Sequence, residues 1–324
     1  MYSQNELKKM VDKAIVNLAF NDESEKLTAP VRYILSVGGK RLRPVLALMC
    51  CNLYTDKINH AIIPATGIEI FHNFTLVHDD IMDKALLRRS LPTVHVKWNA
   101  NQAILSGDVM AFIANECFLQ AGPESFQKVF RTYNRAAIEV CMGQQQDMDF
   151  ERAKVVSQDQ YLRMIELKTA VLIAASAKIG ALLGNAVEKE ADLLYEFGRS
   201  LGLAFQIQDD LLDVYGDKDI FGKISGGDIV SNKKTILLVK ALEKASAEER
   251  KKLADLFQAG NIEPDEKIQA VTELYDHLDI KPLTENLAKE YINISLSYLD
   301  RVQIDNERKE ELYQLAFSLS GRNK

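Results

Sequence analysis

The chain has 324 residues, of which 47% are hydrophobic and 27% charged, and its net charge is −6. That balance is ordinary for a globular protein with ample length for a core, and it argues against a nucleic-acid binder held by bulk positive charge. Cys50, Cys51, Cys117 and Cys141 lack metal-ligand spacing and read as buried small hydrophobes in a reducing compartment; with no signal-peptide core and no apolar run of transmembrane length, the expectation is a cytoplasmic protein without stable membrane insertion.

Helical spacing recurs from Gln4 to Phe20 and again from about Thr28 to a stop at Gly38-Gly39. Lys40-Arg41-Leu42-Arg43-Pro44 then leads into the next helix, with Pro44 in its first turn. Cations beside a glycine pair at a helix entrance can hold an anion, while the plainer reading is a capped turn with solvated arginines. A long helix is expected from near residues 59–64 to beyond Asp83, followed by Arg88-Arg89-Ser90. A further helical pattern, Thr93 to Gln120, is expected to break around Ser106-Gly107-Asp108.

Residues 124–150 read as one helix ending in the polar run Gln144-Gln145-Gln146-Asp147, which is either a solvated tip or a cavity lining. Ser157 to Leu183 reads as a continuous apolar helix with Lys168-Thr169 inside it, and a lone lysine there is ordinarily a snorkelling residue. The helix from about Glu188 to Tyr215 is followed by a glycine-rich loop containing Lys223, and Asn232-Lys233-Lys234-Thr235 opens the next helix. The remainder is charged amphipathic helix. No linker or repeat divides the chain, so 1–324 is expected to be a single all-α domain; the lack of strands preceding phosphate loops argues against Rossmann and P-loop architectures.

Two stretches carry the chemistry. Asp79-Asp80-Ile81-Met82-Asp83 and Asp209-Asp210-Leu211-Leu212-Asp213 each end a long apolar run. Carboxylates at i, i+1 and i+4 of a helix fall within an arc of roughly 100°, where mutual repulsion and lost hydration call for a cation. Hard carboxylate oxygens suit Mg²⁺, which takes one or two of them together with phosphate oxygens and water. The cations at 40, 43, 88, 89, 168, 223 and 233 supply phosphate partners, and the apolar helix faces suit a greasy tail. The expected ligand is an amphiphilic diphosphate.

GGKRLRP, HDDIMDKALLRRS with PTVH after it, GQQQD, LKTA, FQIQDDLLD and GKISGGDIVSNKKT occur in the order seen in the trans-isoprenyl diphosphate synthases, and the chain resembles that family from about residue 30 to 245. The resemblance implies the all-α isoprenoid synthase helical bundle around a central cavity, a homodimer, and head-to-tail condensation of isopentenyl diphosphate with an allylic diphosphate. It implies three Mg²⁺ ions on Asp79, Asp80, Asp83, Asp209, Asp210 and Asp213. Lys40, Arg43, His72 and Arg89 are similar to the isopentenyl diphosphate site, whereas Arg88, Lys168, Gln206, Lys223 and Lys233 are similar to the allylic diphosphate contacts. Thr169 and Gln206 would place oxygen dipoles near the allylic cation, and with Lys168 and Arg88 they form the catalytic set. Taken alone, His72 reads as a satisfied helix histidine.

Product length in the family is set below the first acid patch, here by Phe74 and Thr75 with Phe71 a turn deeper, and that combination resembles geranylgeranyl synthases first and farnesyl synthases next. Ser90, where the family has glycine, and Ile236-Leu237, where many members have proline, depart from the pattern and put the local loop geometry in question. The rival readings are a class I terpene cyclase on the same fold and a non-catalytic subunit of a heteromeric prenyl synthase. A second full acid motif and GGKRLRP count against the first; the complete set of acids and cations counts against the second.

Overall fold

The structure, a computed structural model, describes residues 1–18, 24–153, 155–216, 226–258 and 262–320. In chain order its helices are α1 (Gln4–Val16), α2 (Glu25–Ser36), α3 (Leu42–Tyr54) and α4 (Ile62–Met82). A hairpin of β1 (Leu87–Arg88) and β2 (Leu91–Pro92) follows, then α5 (Val94–Lys97), α6 (Ala100–Phe118) and α7 (Pro123–Arg152). Next come α8 (Gln158–Ile165), a π turn (Glu166–Ala170), α9 (Val171–Leu183) and α10 (Glu188–Tyr215). The last are α11 (Gly227–Val230), α12 (Ile236–Lys244), α13 (Ala247–Gln258), α14 (Pro264–His277), α15 (Ile280–Asp300) and α16 (Asn306–Ser320). The fold is all-α, and among the described residues no helix is long and apolar enough to cross a membrane.

Local chemistry starts these helices. Ser3 and Ser157 each accept from the backbone three residues on while Glu6 and Gln160 reach back, closing capping boxes on α1 and α8. Asn99 caps α6, and Pro123 and Pro264 open α7 and α14 where a missing N–H costs nothing.

Two compact units divide the chain. Unit 1 comprises residues 1–135, 175–195 and 302–312; unit 2 comprises residues 136–174, 196–301 and 313–324. In unit 1 the apolar residues of α3 (Leu46, Leu48, Met49, Leu53), α4 (Ile68, Ile70) and α6 (Met110, Phe118) are fully buried. Unit 2 has its own core, in which Tyr161 and Met164 of α8 meet Leu203, Ile207 and Leu211 of α10, Ile236 to Val239 of α12, and Tyr275 of α14.

Several local expectations are corrected. The first acid helix stops at Met82 with Asp83 as its C-cap, rather than running on. Helix α6 passes unbroken through Ser106-Gly107-Asp108, and the bare Gly107 makes room for the His78 ring, whose Cδ2 lies 2.6 Å from where a Cβ would stand. The single helix expected over 157–183 is interrupted by the π turn. The Arg88-Arg89-Ser90 stretch is a hairpin whose register pairs Leu87 with Pro92 and Arg88 with Leu91. Of the four cysteines three are buried, but Cys141 is exposed on α7.

Candidate active site

In unit 1, Gly38 (φ 80) and Gly39 (φ 141) carry the backbone through a conformation that side chains avoid, and a Cβ on Gly39 would stand 2.7 Å from Arg89 Nη1. The Arg89 guanidinium therefore lies directly over the glycine backbone. Arg41 also adopts positive φ (51), and its side chain turns inward to donate to Glu69 Oε1 (2.8 Å), Asp12 Oδ1 (3.1 Å) and the Leu35 carbonyl (2.7 Å). Of the three cations in the GGKRLRP segment, Arg41 is thus a buried structural ion pair. Lys40 is exposed at the mouth of the turn, and Arg43 donates to His72 Nε2 at 3.2 Å.

That hydrogen bond requires an unprotonated acceptor on His72. Burial and the surrounding charges of Arg43, Arg88, Arg89 and Arg41 hold the imidazole well below its ordinary 6.5. Arg89 is likewise lowered from the arginine range by burial, with Arg41 and Arg88 adding to the effect and Glu69 opposing it. Arg43 and Arg89 lie beside this neutral imidazole, while Arg41 is already paired with Glu69 and Arg88 with Asp80; guanidinium donors gathered in this way suit an anion.

The first acid triad splits by face. Asp80 is 1% exposed and its carboxylate is gripped by Arg88, which donates from Nε (3.0 and 2.9 Å) and Nη2 (2.8 Å). Burial raises the Asp80 pKa from the usual value, opposed chiefly by Arg88. Asp79 is half-buried and Asp83 exposed, one turn apart. Arg88, the first residue of its hairpin turn, has the left-handed Arg89 (φ 52) and Ser90 (φ 64) after it, the backbone of a two-residue primed turn.

Below these acids α4 carries aromatic rings. Phe71 is 3% exposed, packed edge-on against Tyr133 (5.4 Å) and tilted against Phe74 (5.4 Å), while Tyr133 stacks on Phe118 (4.1 Å). Half-buried Phe74 also meets the His78 ring edge-on at 4.8 Å. Thr75 turns its hydroxyl back to the His72 carbonyl (2.8 Å), leaving its methyl for neighbouring side chains.

In unit 2 the π turn sets Lys168 and Thr169. It widens the helix where Gly143 of α7 approaches so closely that a Cβ there would come within 2.6 Å of Lys168 Cα. Lys168 Nζ donates to Asp147 at 2.6 Å, so this lysine is ion-paired within the protein. The polar run on α7 therefore divides by face: Gly143 and Asp147 turn toward the π turn, while Gln145 donates to Asp149 in solvent.

The second triad splits as the first does, with different partners. Asp210 is 3% exposed; its Oδ2 accepts from the Tyr161 hydroxyl and from the Ile236 backbone N–H (3.1 Å), and its Oδ1 from Gln206 Nε2 (3.1 Å). Burial first, and then the Asp228 charge, push it up to about 7. Asp209 and Asp213 are half-buried, and Asp213 Oδ2 accepts from the Asp228 backbone N–H (2.9 Å). Gln206 Oε1 accepts from Thr169 (2.9 Å). Lys233 is half-buried beside the left-handed Asn232; Lys223 lies outside the described residues.

Ile236 shows why the missing proline is consistent with this geometry, since its N–H is a hydrogen bond to Asp210 that proline lacks. Among the described residues no three His, Cys, Asp or Glu side chains form a ready-made metal cage. The donor chemistry nonetheless fits Mg²⁺, whose sites draw on one or two carboxylates and complete their octahedron with phosphate and water. Sequence reasoning missed Tyr161 and the Arg41–Glu69 pair, and named Asp147 and Asp228 only within their motifs. Their partners lie between 15 and 49 residues away in sequence, beyond the reach of spacing arguments.

A family model described as Polyprenyl synthetase matches residues 24–275. A geranylgeranyl diphosphate synthase from Methanosarcina mazei is 38% identical over 93% of this chain and 88% of its own. A crystal structure of a geranylgeranyl pyrophosphate synthase superposes with a TM-score of 0.95 at 39% identity, covering 100% of both chains. The geranylgeranyl pyrophosphate synthase from Corynebacterium glutamicum, complexed with isoprenyl diphosphate and magnesium, gives a TM-score of 0.84 at 27% identity over 98% of this chain and 97% of that one.

Proposed function

This chain belongs to the polyprenyl synthetase family and is a trans-prenyltransferase, and we propose that it joins isopentenyl diphosphate head-to-tail to an allylic diphosphate with geranylgeranyl diphosphate (C20) as its product. The family is of the Mg²⁺-dependent type and uses these two substrate classes. The observation that carries the reading is the gathering of Arg43, Arg88 and Arg89 about a neutral His72 beside Gly39. Arg88 already faces Asp80, and the convergence of guanidinium donors on this turn suits a diphosphate.

In this reading Lys40, Arg43, His72 and Arg89 hold isopentenyl diphosphate. Arg88, Lys168, Gln206, Lys223 and Lys233 hold the allylic diphosphate, and Asp79, Asp80, Asp83, Asp209, Asp210 and Asp213 form the binding set for three Mg²⁺ ions. When bound, Mg²⁺ would neutralise the charge that builds on the departing diphosphate. The allylic carbon–oxygen bond breaks, the double bond of isopentenyl diphosphate attacks the cation, and one proton leaves to the released diphosphate. Thr169 and Gln206 would place oxygen dipoles near the positive centre, and exclusion of water protects it from capture. Phe74 and Thr75, backed by Phe71 against Tyr133, set the depth available to the growing chain.

We infer a single polyprenyl synthase domain, since the family match at 24–275 takes in residues of both units. A cytoplasmic homodimer is inferred too: Leu105, Phe112 and Leu119 repeat every seven residues and are 56%, 67% and 57% exposed, a stripe suited to a second copy.

The test is incubation of purified protein with Mg²⁺, labelled isopentenyl diphosphate and, separately, dimethylallyl, geranyl and farnesyl diphosphate, with products sized by chromatography. C20 is expected from each primer. Failure to elongate any of them would favour a non-catalytic partner subunit, and cyclised hydrocarbon from a primer alone would favour a terpene cyclase.

A further inference from the structure

We propose that Tyr161 is a positioning residue for allylic ionisation, acting through Asp210 to fix which end of the Gln206 carboxamide faces Thr169. The inference rests on the prenyltransferase reading above and concerns a residue to which that reading gives no role.

Tyr161 is 2% exposed, and its ring packs in the core of unit 2 with Met164, Leu203, Ile207 and Ile236. A phenol buried this deeply needs a partner for its O–H. It has one: the hydroxyl donates to Asp210 Oδ2. The Ile236 N–H donates to the same oxygen, and the two bonds fix the carboxylate plane.

Polarity then passes outward in one direction. When Asp210 is ionised it offers acceptors only, and its Oδ1 takes the Nε2 end of Gln206 (3.1 Å). With Nε2 committed, Oε1 must face the other way, where it takes the Thr169 hydroxyl proton (2.9 Å). The lone pairs of Thr169 are thereby left for a positive centre. Were the carboxylate to slacken, the amide could rotate by half a turn and present N–H to Thr169, reversing the dipole that the cation meets. A core tyrosine that served only to fill space would have no need of this orientation.

Tyr161→Phe keeps the ring and removes only the hydroxyl. The expected result is a kcat for condensation lowered roughly 10-fold, with KM for both diphosphates within about 2-fold of wild type and a thermal midpoint within a few degrees. In a Gln206→Leu background, where no amide remains to be oriented, the same substitution should change kcat by less than about 2-fold. A wild-type kcat in Tyr161→Phe would overturn the proposal, as would an undiminished loss in the Gln206→Leu background or a rise in KM in place of the kcat effect. Wild-type protein that elongates no primer would instead sink the underlying prenyltransferase reading, so the two failures are distinct.

Discussion

The two acid triads share a sequence pattern and differ in what stabilises their buried member. Asp80 is held as an ion by the Arg88 fork, whereas Asp210 is held by a phenol, an amide and one backbone N–H, all uncharged, and is pushed up to about 7. In both, the middle acid turns into the protein and the outer two, one helical turn apart, stay nearer solvent. A repeated motif therefore conceals two electrostatic designs. The first triad is tied to the guanidinium of Arg88, and the second to the hydrogen-bonded chain from Gln206 to Thr169.

Breaking the ion pair should have the largest effect. Arg88→Met leaves Asp80 buried without its counterion, and a broken buried pair costs about 3 kcal/mol of unfolding free energy at pH 8. The corresponding change at the second triad, Tyr161→Phe, removes one hydrogen bond and should cost about 1 kcal/mol. Urea unfolding of both variants measures the difference. Equal losses would mean that Arg88 and Tyr161 are interchangeable supports and that the contrast between the triads is only apparent.

A second contrast lies beneath the acids. The first triad stands over aromatic rings and the second over polar groups, so an opening made under the first should alter product length before rate. Phe74→Ala removes a half-buried ring between His78 and Phe71 at a cost of about 2 kcal/mol in stability, and the product should lengthen beyond that of wild type. An unchanged product distribution would remove Phe74 as the floor and pass the role to Phe71, which Tyr133 already pins.

Cationic surroundings also give the first region an acid sensitivity of its own. The folded pKa of His72 is depressed, first by burial and then by Arg43, Arg88, Arg89 and Arg41. Below the ordinary 6.5 the unfolded chain binds a proton that the folded one refuses, so stability is full above that value and falls by up to about 1.4 kcal/mol per pH unit below it. In phosphate-free buffer, His72→Gln should lose about 1 kcal/mol less than wild type between pH 7.5 and 5.5. Equal losses in the two proteins would show that an arginine shell does not surround the ring.

Much of this was legible in the sequence, and the rest was hidden for identifiable reasons. Helical periodicity located α4 and α10 and placed the acids at their ends, and motif order gave the family. Periodicity could not separate Asp80 from Asp79, because the arc of a helix end that faces inward depends on partners such as Arg88 beyond the helix and Tyr161 on another. It could not distinguish Arg41 from Arg43, since a left-handed φ of 51 at Arg41 redirects the side chain toward Asp12 and Glu69, 29 and 28 residues away. The π turn was invisible because one extra residue in a helix barely disturbs an apolar pattern already rich on every side. The hairpin at 87–92 is too short for alternation to register.

The smallest expected effect concerns that hairpin, which presents Arg88 to Asp80. Ser90 occupies φ 64, a conformation costing a residue with a side chain about 1 kcal/mol that glycine escapes. Glycine also adds freedom to the unfolded chain, which returns part of the gain. Ser90→Gly should therefore stabilise the protein by about 0.5 kcal/mol and leave the Arg88–Asp80 pair intact, read as a small rise in thermal midpoint with unchanged kcat. The gain should persist in Tyr161→Phe, whose defect lies in unit 2, and in Arg88→Met, because its source is the turn backbone. A gain lost in Arg88→Met would assign its source to the ion pair instead, and destabilisation by glycine would show that the turn is already relaxed with serine in place.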